Sequence, residues 1–226
     1  HSPASTTSCW PPASVRAKMK FVGFLQRSLS HDETPGHRPQ GDYILVTTGG
    51  GGDGADLIHN VIHAYQQGPE LQHKALVVLG PYMPAKKRNK LIKKGAQIPQ
   101  IEIIEFDNRM EDLIAGAKAV VAMGGYNTYC EILSFDKPAL IVPRLQPREE
   151  QLIRAQRASA LGLVDMLLPQ EAEEPLRLAA ALKALPQRAP PSLRANGLRL
   201  EGLVHISDTV GEWLGQRWKE DLAGVE

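Results

Sequence analysis

Residues 43–67 read YILVTTGGGGDGADLIHNVIHAYQQ, and they contain a strand, a loop and a helix in that order. The first five residues form an apolar, β-branched run that ends at glycines, which is typical of a buried strand. From residue 55 onward, apolar side chains recur at helical intervals. Five glycines occupy six positions, 49–54, between the strand and the helix. This order predicts the start of a β-α-β arrangement.

The same alternation continues toward the C-terminus. Short apolar runs predict further strands at 75–79, 101–106, 119–122, 139–142 and 164–167. Helical patterns separate them at 85–94, 110–117, 128–135 and 149–161. Strands that are almost continuously apolar, alternating with helices, indicate parallel strands covered on both faces. We therefore expect an α/β fold, a doubly wound parallel sheet of the Rossmann-like kind, with closing helices at 173–185 and 198–214.

The chain divides into three predicted parts. Residues 1–40 are interrupted by prolines and contain one apolar segment, 21–25, so they predict a linker with one short strand. Residues 41–215 are expected to form one domain. Residues 216–226 are expected to be a C-terminal tail.

Composition excludes several classes of protein. The chain has 226 residues, and 26 Lys and Arg against 25 Asp and Glu leave a formal net charge of +1. A dedicated nucleic-acid binder would be more basic, so no nucleic-acid partner is expected. The two cysteines, Cys9 and Cys130, do not form a disulfide framework, and with no export signal they indicate a cytoplasmic setting.

The glycine-rich loop 49–54 is the first candidate site, because ligands of open parallel sheets bind beyond the carboxyl ends of the strands. Gly50, Gly51 and Gly52 allow a close approach of backbone to ligand. The helix that follows offers free N–H groups and a partial positive charge, which together suit a phosphate. A flexible turn is the alternative interpretation. The loop lacks the lysine of a P-loop, so a P-loop NTPase is disfavoured.

A second loop, MGGYNTYCE at 123–131, repeats this design. Gly124 and Gly125 end a strand, and Asn127 or Thr128 can cap the helix that follows. Glu131 then lies about one turn into the helix. Its carboxylate could accept hydrogen bonds from a ribose diol, or it could simply stabilise the helix dipole.

The third candidate loop follows the predicted strand 139–142. Glu150 and Gln151 carry polar groups that suit the hydroxyls of a sugar. A solvated helix start with acids in its first turn is the alternative.

Taken together, these motifs resemble a known family. The run 124–131, then KPALIVP at 137–143, then Glu150 and Gln151 with Ala155, is similar to the donor-binding half of GT-B glycosyltransferases of family 28, the MurG-like group. The resemblance covers about residues 43–168. Residues 15–25 also look like the segment by which such enzymes cross from their N-terminal domain, so residues 1–40 would be a linker and the end of that domain.

The resemblance implies a role for each matching residue. Glu131 would hold the ribose of a UDP-sugar, with UDP-GlcNAc or a related hexose donor as the expected ligand. Gly125, Asn127 and Thr128 would hold the diphosphate, and the loop 49–54 would face it. Phe106 would lie against the uracil, and Gln151 would bind the donor sugar.

The chain also departs from the family pattern. Glu150 stands where MurG-like proteins often have glutamine, and the glycine loop is richer in glycine. The acceptor domain, which supplies the usual general base, is not in this sequence, so the catalytic residue is unknown and an N-terminal domain or partner subunit would complete the cleft. Two alternatives stay open: a sugar-nucleotide epimerase or hydrolase, and a non-catalytic subunit that binds nucleotide sugar.

No cofactor or metal is expected. The chain has no Asp-x-Asp motif to hold Mg²⁺, and His59 and His63 lack the pattern of a zinc protease. A basic run with no acid between its members could meet anionic lipid headgroups, or it could be a solvated helix face. Its members are Lys86, Lys87, Arg88, Lys90, Lys93 and Lys94.

Overall fold

The structure is a computed structural model and describes residues 11–29, 36–37, 39–68, 71–194 and 199–223. It divides into two compact units. One comprises Gln26–Leu198, and the other comprises the described parts of His1–Leu25 and Arg199–Glu226. The predicted domain at 41–215 therefore includes residues of both units. The first ten residues of the predicted linker lie outside the described residues.

The larger unit is built on six parallel strands in the order β3-β2-β1-β4-β5-β6. The strands are β1 (Tyr43–Thr47), β2 (Lys74–Val78), β3 (Ile101–Ile104), β4 (Ala119–Ala122), β5 (Ala139–Ile141) and β6 (Asp165–Met166). The central strand β1 is buried along its whole length. Leu45 pairs with Leu76 on one side and with Val120 on the other. The predicted doubly wound parallel sheet is confirmed.

Helices follow the strands in turn. They are α2 (Ala55–Gln67), α3 (Ala85–Gly95), α4 (Met110–Gly116), α5 (Tyr126–Ser134), α6 (Glu150–Ala160), α7 (Pro169–Ala172), α8 (Pro175–Ala184) and α9 (Pro191–Arg194), with a 3₁₀ helix at Leu185–Gln187. Helix α2 buries Leu57, Ile58, Val61 and Ile62. It packs against α8 so closely that a Cβ at Gly68 would lie 2.4 Å from the Cβ of Ala179.

Two helices differ from the prediction because proline and glycine start them elsewhere. The helix predicted at 173–185 is α8, which begins two residues later because Pro175 is favoured at the first helical position, and the short α7 before it is not predicted. Helix α5 begins at Tyr126, two residues before its predicted start, with Gly125 at its N-cap.

The smaller unit contains α1 (Ala13–Arg16) and α10 (Gly202–Ala223). The strand predicted around 21–25 is a single antiparallel bridge between Leu25 and Glu201. Helix α10 starts later than the predicted residue 198 and continues through most of the predicted tail at 216–226. Within the described residues, no helix is long and apolar enough to cross a membrane.

Candidate functional site

Both glycine loops lie where the strand order of the sheet reverses. The chain runs from β1 outward to β2 and β3, and then returns to β4 on the other side of β1. In open parallel sheets, ligands bind at this switch point, beyond the carboxyl ends of the two strands. The loop 49–54 follows β1, and Gly124 and Gly125 follow β4. The topology therefore brings the two predicted loops to one crevice.

A cavity of about 280 Å³ lies in this crevice. Seven of the predicted residues line it: Gly50, Gly51, Gly52, Gly124, Gly125, Thr128 and Gln151. Four others are not among its lining residues: Phe106, Asn127, Glu131 and Glu150. A second cavity of about 350 Å³ adjoins the first and shares Asp53, Met123 and Arg144 with it.

Packing explains why only some of the positions around the cavity are glycine. Gly51 has a φ of +83°, and a Cβ there would lie 2.2 Å from the carbonyl oxygen of Leu79. A Cβ at Gly54 would lie 2.1 Å from that of Thr48. At Gly52 and Gly125, in contrast, no described residue other than the chain neighbours has an atom within 4 Å of the position of a Cβ. Packing requires glycine at the first two positions and leaves the cavity-lining backbone of the last two open to a ligand.

Two helices begin at the cavity with uncapped N-termini. Gly54 and Gly125 are the N-cap residues of α2 and α5, and neither has a side-chain capping bond. The first N–H groups of a helix lack partners within it, and the helix dipole places partial positive charge there. The expected cap by Asn127 or Thr128 is wrong, because α5 begins at Tyr126. The side-chain oxygen of Asn127 instead accepts a hydrogen bond from Nη2 of Arg27 at 2.9 Å.

Glu131 lies on α5, about one turn beyond Thr128, and is half-buried. Burial and the nearby Glu111 carboxylate raise the pKa of the Glu131 carboxyl, whereas the Arg27 guanidinium opposes them. The backbone N–H of Arg27 donates to the hydroxyl of Ser134 at 2.8 Å, which fixes residue 27 beside α5. A desolvated carboxylate of this kind is a strong hydrogen-bond acceptor for a ligand.

Phe106 lies two residues beyond the end of β3, and 57% of it is exposed. Its strand is two positions away from β1 in the sheet. The ring is therefore at the same edge of the sheet as the cavity, but outside its lining. Its role, like that of each predicted site residue, stays a prediction.

Arg144 lies in the third candidate loop, after β5, but the sequence motifs predict no role for it. Its Nη1 donates to Asp53 at 2.8 Å, and its Nη2 donates to Glu150 at 2.8 Å. Its backbone N–H also donates to the side-chain oxygen of Gln151 at 3.2 Å. The rule that loops after parallel strands carry function points to this loop. It does not predict the ion pairs, because Asp53 lies 91 residues and Glu150 six residues away along the chain.

Tyr82 is a second residue that the sequence did not single out. It follows β2, lines the cavity, and is 78% exposed. Its backbone N–H donates to the carbonyl of Gly50 at 2.8 Å, which ties the loop after β2 to the glycine loop. The aromatic ring therefore stands at the rim of the cavity.

Within the described residues, no group of three or more His, Cys, Asp or Glu side chains could hold a metal ion. The rings of His59 and His63 are 4.2 Å apart, but Nε2 of His59 lies 3.0 Å from the ammonium of Lys94. Burial, and then Lys94, lower the pKa of the His59 imidazole.

Comparison with known proteins identifies the family. Residues 43–198 match the glycosyltransferase family 28 C-terminal domain. The chain belongs to this family. A relative from Mannheimia succiniciproducens is 30% identical over 112 residues, which is 43% of this chain and 31% of the relative. It is a UDP-N-acetylglucosamine--N-acetylmuramyl-(pentapeptide) pyrophosphoryl-undecaprenol N-acetylglucosamine transferase.

Solved structures share the fold of this family 28 domain. The calicheamicin glycosyltransferase CalG4 superposes with a TM-score of 0.62 at 20% identity, over 86% of this chain and 47% of that protein. MurG from Acinetobacter baumannii gives a TM-score of 0.52 at 16% identity, over 77% of this chain and 51% of that protein. The expected C-terminal half of a GT-B fold is confirmed. The chain spans about half or less of the length of these proteins.

Proposed function

We propose that this family 28 domain binds a UDP-sugar in the cavity between β1 and β4 and serves as the donor half of a glycosyltransferase. One observation carries the proposal. Two uncapped helix N-termini, each preceded by glycines that line the cavity, meet at the switch point of the sheet. Such N–H groups can stabilise the diphosphate that leaves when the sugar is transferred.

The positions of the predicted residues support a division of this cavity among the parts of the donor. The diphosphate would lie by Gly52, Gly125 and Thr128, which line the cavity together. The ribose would reach Glu131, and the uracil would lie toward Phe106. Gln151 and Glu150, at the start of α6, would meet the sugar. UDP-GlcNAc is the proposed donor, because the relative from M. succiniciproducens is a GlcNAc transferase by name.

We also propose that the transfer needs no metal ion. Helix N-termini would supply the positive potential that a cation provides in other enzymes. The general base and the acceptor site would come from an N-terminal domain or a partner subunit, since the chain spans about half of its structural relatives.

The lysine face of α3 supports a further proposal, a contact with an anionic membrane. At 100° per residue, Lys86, Lys87, Lys90, Lys93 and Lys94 fall within about 120° of the helix circumference. Leu91 and Gly95 are buried on the other side, and Arg88 pairs there with Glu105 at 3.1 Å. Lysines in the first turn oppose the helix dipole, and like charges one turn apart repel each other. An anionic surface would offset both costs.

Isothermal titration calorimetry tests the donor proposal. We expect UDP and UDP-GlcNAc to bind, and ADP to bind at least tenfold more weakly, because ADP has the same ribose and diphosphate but lacks the uracil that the proposed contact with Phe106 would recognise. Absence of binding of any nucleotide diphosphate at millimolar concentration would contradict the proposal. Incubation with UDP-GlcNAc and no acceptor is the second arm, since a transferase leaves most of the donor intact whereas an epimerase or hydrolase converts it.

A further inference from the structure

The loop after β5 holds an arginine that faces both an anion site and two acids. The Arg144 side chain is 30% exposed and lines both cavities. Among the described residues that line the cavity between β1 and β4, it is the one cation. Asp53, also in that lining, is one of its two acidic partners.

The arginine joins three elements at the mouth of the cavity. Asp53 belongs to the glycine loop after β1, and Glu150 is the first residue of α6. One guanidinium bridges them with two bonds of 2.8 Å each. The same residue holds the side chain of Gln151 through its backbone N–H. Loss of the Arg144 side chain would release Asp53 and Glu150, whereas the backbone N–H would still hold Gln151.

Charge is the stronger part of the effect. A glutamate is ionised at neutral pH, and hydrogen bonds from Arg144 lower the pKa of the Glu150 carboxyl further. Without the guanidinium, two carboxylates would flank a cavity that has to accept an anion. Like charges placed together in a binding site oppose association strongly, and the opposition weakens with salt.

We infer that Arg144 is a positioning residue for the donor, whose guanidinium neutralises Asp53 and Glu150 so that a diphosphate can enter. This inference rests on the proposed donor site. The inference requires that the arginine acts through its two acids, and its guanidinium can stay bonded to them while the donor binds. Removal of the acids should therefore compensate for removal of the arginine.

Calorimetry with UDP on four variants of the whole chain tests this requirement. We expect R144Q to bind at least tenfold more weakly than the wild type, and R144K to bind with intermediate affinity, because lysine keeps the charge but cannot bridge both acids. The triple variant R144Q/D53N/E150Q should recover most of the lost affinity. R188Q is the matched control, since Arg188 also pairs with an aspartate, Asp165 at 2.8 Å, but does not line the cavity.

The outcomes separate this inference from the donor proposal. If the wild type binds UDP and R144Q binds equally well, the inference is wrong and the donor site stands. If R144Q is weakened but the triple variant is not restored, neutralisation is wrong. If the wild type itself fails to bind, the donor proposal is wrong and the inference falls with it. Thermal unfolding of each variant identifies a loss of affinity that arises from misfolding. If R144Q is misfolded, the affinity of R144K takes its place: weaker binding than the wild type supports the inference, and equal binding contradicts it.

Discussion

At the scale of single residues, Glu131 and the glycines that line the cavity are tested in different ways. Glu131 has a raised pKa, so it gains its proton at a higher pH than an ordinary glutamate does. Its carboxylate is therefore available to a ligand above this raised pKa, and it is lost as the pH falls through it. The desolvation that raises the pKa is also what makes the group a good acceptor for the proposed ribose.

We expect Glu131→Gln to weaken UDP-GlcNAc binding by about 1–3 kcal/mol at pH 7.5, the scale of a hydrogen bond to a charged group. Wild-type affinity should fall as the pH is lowered from 7.5 through the raised pKa of Glu131, whereas the affinity of the variant should change less. The intact nucleotide sugar is the right probe, because the terminal phosphate of UDP itself titrates near pH 6.

Glu111→Gln is the matched control for that experiment. It removes a negative charge that raises the pKa of Glu131, so this variant should begin to lose affinity at a lower pH than the wild type does. Equal affinity of wild type and Glu131→Gln at pH 7.5 would remove Glu131 from the site.

Substitution of the neighbouring glycines Gly51 and Gly52 separates the effect on stability from the effect on binding. Gly51→Ala should lower the free energy of unfolding by about 1–3 kcal/mol, since the positive φ and the Leu79 carbonyl both oppose a Cβ. Gly52→Ala should leave stability within about 0.5 kcal/mol but weaken UDP binding, because its Cβ would enter the cavity. Chemical denaturation and calorimetry on the same samples check both. Normal UDP affinity in a folded Gly52→Ala variant would place the diphosphate elsewhere.

At the scale of elements, α3 carries a charge pattern that the fold does not need. Its buried side consists of few residues. Four of its lysines are exposed on one arc, and the fifth, Lys94, lies on the same arc but contacts His59. Local helix energetics alone would favour acids in the first turn, and this helix has none. The proposed membrane contact gives the pattern a physical reason.

We expect the wild type to co-sediment with vesicles that contain phosphatidylglycerol, but not with phosphatidylcholine vesicles. The triple reversal K86E/K90E/K93E should abolish this binding, at about 1 kcal/mol for each lysine removed. The control variant K74E/R157E/K183E changes the net charge by the same amount at exposed positions outside α3. It should bind the vesicles much better than the α3 variant does. Equal loss in both variants would show that net charge, not α3, is responsible.

At the scale of the whole molecule, ligand binding should be visible as stability. A ligand at about 100 times its dissociation constant stabilises the folded state by about 2.7 kcal/mol. For a chain of this size, that corresponds to a rise in Tm of about 5–10 °C. We expect UDP to produce this shift with or without EDTA, because the proposed site uses helix N-termini and no metal. A shift that EDTA removes would contradict the metal-free proposal.

Much of the molecule followed from local sequence patterns. The apolar run 43–47 and the helical spacing of 55–67 match β1 and α2, because a parallel strand buried on both faces and an amphipathic helix have different periods. The start of α5 was predicted two residues late, since capping preferences favour Asn127 over the glycine that the backbone uses. The position of a helix end depends on a few weak local interactions. Tertiary contacts compete with them, such as the hydrogen bond from Arg27 that occupies the side-chain oxygen of Asn127.

By itself, the sequence determined the α/β class, the alternation of elements and the loops in which a ligand would lie, because these depend on periodicity and on residues that are close in the chain. The folded structure shows which loops share one cavity and which glycines packing requires. It alone joined Arg144 to Asp53. The physical reason is that strand order in a parallel sheet brings distant loops to one edge, so that charges far apart in the chain meet within hydrogen-bonding distance.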